Sequence, residues 1–139
     1  MAAQPPLNFT IQPAPVNTTA FTQFTLATLD LATMPGVAGN YTDCTVFIRA
    51  TVLLFGVVTG YSTSWEKCAT FQRITTGNVS LRGSVTDGNA GSAGQVGDPD
   101  LGTVTLDIST TTIRLRVTPG ASSSCWWYGK LQVTAIEPA

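Results

Sequence analysis

Hydrolytic or metal chemistry in this chain would have to rest on carboxylates, because the sequence contains no histidine. Without imidazole, the commonest general base, the commonest metal ligand and the usual partner of a catalytic Ser or Cys are all missing. Paired carboxylates alone can hydrolyse glycosides, and the close acidic cluster is Asp98-Pro99-Asp100, with Asp87 upstream. Asp87, Asp98 and Asp100 could hold calcium only with help from backbone carbonyls, since that ion takes about six to eight oxygens. The plainer reading is a solvated loop closed by turn-forming Asp residues. Gly88, Gly91, Gly94 and Gly97 surround the same acids. They precede a strand, whereas a phosphate-cradling glycine loop opens a helix. No catalytic residue, metal ligand or cofactor is assigned, and no enzyme is expected.

The other side chains with chemical potential are sulfur and aromatic. Cys44, Cys68 and Cys125 are an odd, widely spaced set with no CxxC pair, a poor framework for disulfides or zinc. They read as three small apolar core residues, with one disulfide plus a thiol as the alternative. The run Cys125-Trp126-Trp127-Tyr128 is the most distinctive local feature. On a strand, alternation turns Trp127 to the core and leaves Trp126 and Tyr128 on the opposite face. That makes Trp126 and Tyr128 a candidate interface, or a stacking face for a ligand such as a sugar ring.

The elements that position these residues are strands. Thr, Val, Ile and aromatics dominate, as suits a pleated, half-buried surface, and no helical apolar spacing persists beyond a turn or two. Residues 44–58 form one long apolar strand or a pair split at Gly56. Residues 65–74 follow, and Gly77-Asn78 is expected to make a tight hairpin with Gly77 at positive φ. Val79, Leu81 and Val85 should then share one face. Residues 86–100 form a loop longer than most. Val104, Leu106 and Ile108, then Ile113, Leu115 and Val117, alternate with polar residues. The last strand places Trp127, Gly129, Leu131, Val133 and Ala135 together. Roughly seven or eight short strands with regular turn signals indicate an all-β fold, a single antiparallel β-sandwich, jelly-roll-like. The chain of 139 residues is read as an extended Pro-rich N-terminal arm, residues 1–20, and a sandwich domain, residues 21–139.

In the arm, Pro5, Pro6, Pro13 and Pro15 favour extended backbone. Leu7, Phe9 and Ile11 nevertheless alternate with Asn8 and Thr10, as in an edge strand. The arm either folds back on its own domain or lies across a neighbouring subunit, where Leu7, Phe9 and Ile11 would bind the partner by strand addition.

Charge excludes other partners. Charged residues are 11% of the chain, the formal net charge is −1, and the seven Lys and Arg stand singly, so neither nucleic acid nor anionic membrane is expected. The longest apolar run, residues 52–58, is too short to span a bilayer. The start lacks the basic and apolar stretches of a secretory signal, and four N-x-Ser/Thr sequons read as coincidence in a Thr-rich chain.

Two stretches resemble a known group of proteins. Leu115-Arg116-Val117-Thr118-Pro119-Gly120-Ala121, a small-residue loop at 122–124, and Trp127 with Lys130, Leu131, Val133 and Ile136 resemble the terminal domain of many bacteriophage structural proteins. There a strand ending in Val-Thr-Gly precedes a Trp that opens the last strand. Phe71-Gln72-Arg73, Gly77, Leu81 and Gly83 resemble a hairpin of the same proteins. The resemblance covers residues 60–137, and Pro119 and the doubled Trp126 depart from the pattern. It implies a virion protein of the decoration, cement, head-fibre or tail-fibre kind, commonly trimeric, with no catalytic activity. A single domain with a short arm fits a small protein repeated over a shell better than a fibre with a shaft. The expectation is a capsid decoration or cement protein, assembled in the host cytoplasm and located on the capsid surface. Its partners would be the major capsid protein and copies of itself as a homotrimer, with each modest contact multiplied over the lattice. The alternatives are a fibre or adhesin module binding host glycans through Trp126, Tyr128 and the Gly-rich loop, and a carbohydrate-binding module.

Overall fold

A computed structural model describes residues 7–33, 43–57, 60–74, 77–88, 94–98, 101–120 and 124–136. Ten strands are present among them: β1 (Leu7–Ile11), β2 (Val16–Thr18), β3 (Phe24–Asp30), β4 (Cys44–Gly56), β5 (Ser62–Arg73), β6 (Val79–Asp87), β7 (Gln95–Gly97), β8 (Gly102–Ser109), β9 (Thr112–Pro119) and β10 (Cys125–Ile136). They make two antiparallel sheets packed as a β-sandwich. The seven-stranded sheet runs β1-β10-β4-β5-β6, with β2 beside β10 and β7 beside β5; the three-stranded sheet runs β3-β9-β8. First pairs with last (β1 with β10) and β3 with the next-to-last β9, the nested wrapping of a jelly roll. The middle of the chain departs from that scheme, because β4, β5 and β6 stay in one sheet as a meander.

Alternation explains the core. β4 is one continuous strand whose inward residues, Cys44, Val46, Ile48, Ala50, Val52 and Leu54, are all buried. They face Ile113, Leu115 and Val117 of β9 and Leu26 and Leu29 of β3, likewise buried in the same cluster. Trp65 and Trp127 stack at 5.6 Å between ring centroids, and Phe24 meets Trp127 edge-on at 6.1 Å. The Trp127 indole N–H donates to Thr18 Oγ1 at 2.8 Å, which satisfies the one polar atom of a wholly buried ring and fastens β2 to the sheet. Gly129 lies between these groups because a Cβ there would meet Leu26 Cδ2 at 2.5 Å.

Cys44, Cys68 and Cys125 are all buried thiols. Cys44 and Cys125 lie at opposite ends of β4, opposite Arg73 and Gly56 in the ladders. The reading as small apolar residues therefore describes them, and the disulfide alternative does not.

Three expectations need correction. Gly77 lies outside the left-handed region, its N–H donating to the Ile74 carbonyl at 2.9 Å. A positive φ is found inside β6 at Gly83 (+80°), where residues 83–85 stand against Ala69 alone of β5; such a bulge bends the strand, and glycine takes that conformation without a Cβ clash. Leu81 does not share Val79's burial, since β6 is an edge strand that the narrower sheet leaves largely uncovered. Within residues 86–100, Gln95–Gly97 form β7 and pair with Thr63–Trp65. The turn-forming run Met34-Pro35-Gly36 and Asp100 lie outside the described residues.

Candidate interaction surface on the seven-stranded sheet

Each inward residue of β4 and β10 has an outward neighbour, and several of those are large and apolar. β4 points Phe47, Leu53 and Phe55 to solvent; β10 points Trp126, Tyr128 and Ile136. The ladder sets Phe55 opposite Trp126 and Leu53 opposite Tyr128, so these four side chains form one block at the end of the sheet. In β10, Trp127 is 0% exposed while Trp126 and Tyr128 are 38% and 45% exposed. The sequence expectation for this triplet matches the geometry.

β5 and β7 complete the patch. Ser62 and Ser64 lie across from Phe55 and Leu53, and Val96 lies across from Ser64. An open groove of about 410 Å³ runs here, lined by Leu53, Phe55, Ser62, Ser64, Val96 and Tyr128. A second groove, about 240 Å³, lies on the other side of the Leu53–Tyr128 ridge against Gln12, Thr51 and Lys130. Sequence reasoning missed Leu53, Phe55 and Val96. The signal was present for β4, whose apolar residues occupy both faces where alternation requires only one; for Val96 it was hidden in a Gly-rich segment.

β7 is held by polar contacts. The Ser62 N–H donates to Asp98 Oδ2 at 2.9 Å, and the Asp98 N–H donates to the Ser62 carbonyl at 3.0 Å. Gln95 Nε2 donates to Thr63 Oγ1 and to the Asp98 carbonyl. Asp87 binds the Lys67 ammonium at 2.7 Å instead. Asp87 and Asp98 thus serve separate structural contacts, and no group of three metal-capable side chains converges among the described residues.

Residues 7–11 and 16–18 fold back on the chain's own sheet. Leu7, Phe9 and Ile11 pair with Ala135, Val133 and Leu131 of the chain's own β10 and pack against its core, while Asn8 and Thr10 face outward. The apolar faces of Leu7, Phe9 and Ile11 match the inward residues of β10 within the chain, and β1 forms one edge of the sheet. Asn8 Oδ1 accepts from Thr134 Oγ1 at 2.9 Å. β1 and β2 belong to the seven-stranded sheet.

No known protein-family model matches the chain, and no curated protein matches it either. Among solved structures, the tailspike protein of Acinetobacter baumannii phage AM24 is similar at 12% identity and a TM-score of 0.41, over 92% of this chain and 26% of the tailspike.

Proposed function

We propose that the protein is a structural component of a bacteriophage particle, specifically a decoration or cement protein that binds the capsid shell through the outer face of the seven-stranded sheet. The observation that carries this reading is the block Leu53, Phe55, Trp126 and Tyr128, aligned by the β4–β10 register and exposed together. A solvated sheet face does not require such residues, and contiguous apolar patches of this kind mark interaction sites. The sequence resemblance of residues 60–137 to phage structural proteins points to a virion component, and the major capsid protein is the partner this reading assigns. β1 pairs with β10, and this reading assigns the contact to the sheet face. Docking there buries aromatic area without reorganising the fold, and repetition over a lattice makes modest single contacts sufficient.

The test uses particles assembled from the encoding genome with this gene deleted. Purified protein is added back and bound protein is measured by sedimentation. Binding that falls at least tenfold for the double variant Leu53→Ser/Trp126→Ser, whose fold is checked by near-UV circular dichroism, supports the reading. Undiminished binding by that variant refutes the assigned face.

A second reading, a fibre or adhesin module for host glycans, is favoured by one feature: the Tyr128 and Phe55 rings border a groove that also holds the Ser62 and Ser64 hydroxyls. A pyranose needs both an apolar platform and hydrogen-bonding groups. Saturable binding on a glycan array, lost with Tyr128→Ala, together with no binding to particles, would select it.

A further inference from the structure

We infer that β8 is a pairing edge for a second copy of this chain, joining two three-stranded sheets into one six-stranded sheet about a two-fold axis. The edges of the two sheets differ in length and regularity. Exposed strand edges template pairing with other chains, and proteins blunt the ones they do not use with shortness, prolines and bulges. β1 has five residues and is bounded in sequence by Pro5-Pro6 and Pro13. β2 and β7 have three residues each. β6 is bulged at Gly83, and β3 is bulged between Thr25 and Ala27. β8 alone among these edges is long and regular: eight residues in unbroken register with β9, and without a proline.

The hydrogen-bond parity of β8 shows which groups it offers. Gly120 N–H donates to the Leu101 carbonyl at 3.0 Å, and Gly102 to Ser109 pair in sequence with Pro119 to Thr112. Antiparallel ladders alternate bonded and non-bonded pairs, so Thr103, Thr105, Asp107 and Ser109 direct their backbone groups to β9. Gly102, Val104, Leu106 and Ile108 direct theirs to the open side. Beyond the strand, the Thr110 carbonyl in the β8–β9 turn accepts from Val79 N–H of β6 at 2.8 Å, which marks where the open stretch ends.

The strand is self-complementary. In antiparallel register centred on Thr105, Val104 meets Leu106 of the other copy, and Thr103 meets Asp107. The inward apolar row continues across the axis, the outward row stays polar, and the two Asp107 carboxylates do not oppose each other. Asp107 is held by Arg114 at 2.7 and 3.0 Å, so it keeps its own partner. A shallow groove of about 270 Å³ separates Val104, Thr105 and Leu106 at this edge from Lys67 and Val85 of the other sheet. This pairing uses a different surface from the aromatic face, so either can hold without the other.

The test is light scattering on the full chain over a range of concentrations, with Thr105→Lys, Thr105→Glu and their mixture. Thr105 points to solvent, and like charges placed directly opposite each other destabilise a pair. The full chain should show twice the chain mass, each variant alone the single mass, and the equimolar mixture the doubled mass again. Amide exchange gives a second readout: Val104 and Leu106 amides should be protected in the wild type and exposed in Thr105→Lys, while Thr103, Thr105 and Asp107 positions stay protected in both. A full chain that is monomeric at every concentration, a trimer, or a dimer that Thr105→Lys leaves intact would overturn the proposal.

Discussion

The outer faces of the two sheets differ in how much apolar area they expose. Outside the three-stranded sheet stand Thr25, Thr28, Thr103 and Thr105, with Asp107, Arg114 and Arg116 forming a small ionic cluster. Outside the seven-stranded sheet stand Phe47, Leu53, Phe55, Trp126, Tyr128 and Ile136. Both faces satisfy β-propensity, because threonine and aromatics alike suit a pleated surface. Propensity therefore does not explain the difference. The first face is polar throughout and carries its own ion pairs, while the second exposes apolar area beside the Arg49–Glu66 ion pair.

This contrast can be tested by substitutions on, under and opposite the aromatic face. The largest effect should come from directly beneath it. Trp127→Ala removes a wholly buried ring stacked on Trp65, and chemical denaturation should show a loss of about 3–5 kcal/mol. Gly129→Ala comes next: the added methyl would meet Leu26, and overpacking of this kind costs about 1–3 kcal/mol by the same measurement. On the polar face, Arg114→Met removes a two-point contact with Asp107 between partly exposed groups. It should cost no more than about 1 kcal/mol, and less at high salt. Arg116→Met should be close to neutral, within about 0.5 kcal/mol, because its Nε is buried with no hydrogen-bond partner and its contact with Asp107 is a long 3.7 Å; leaving a polar atom unsatisfied carries its own cost. The smallest stability change should follow Leu53→Thr with Tyr128→Thr, also within about 0.5 kcal/mol, even though binding of an apolar dye to the native protein falls. A large loss of stability from that pair would mean that the aromatic face is a structural surface and that the contrast between the sheets is superficial.

Much of this architecture is legible in the sequence because strands have a period of two. That period alone separates Trp127 from Trp126 and Tyr128, and it locates the inward rows of β8, β9 and β10. It does not say whose strand an apolar row will meet. Leu7, Phe9 and Ile11 present the same alternation to any apolar edge, and only the match of that row to Leu131, Val133 and Ala135 in the folded sheet assigns it to its own chain. Nor does the period say how far one sheet covers another. Val79 and Leu81 share a parity, yet only Val79 is buried. β4 hides its exposed aromatics for a related reason: a strand apolar on both faces reads as doubly covered, whereas here one cover is missing. The bend at Gly83 rather than Gly77 depends on a register slip between β5 and β6, a property of the pair rather than of either strand.

The three thiols turn this fold into its own reporter. Cys44 and Cys125 sit at the two extremities of β4, and Cys68 lies midway on β5 opposite Arg49. All three are shielded, so an alkylating reagent can reach each one only when its part of the sheet opens. Timed labelling followed by peptide mass analysis would rank the openings of the two ends and the middle without adding a probe. The same labelling on assembled material would show which of them an added partner holds shut.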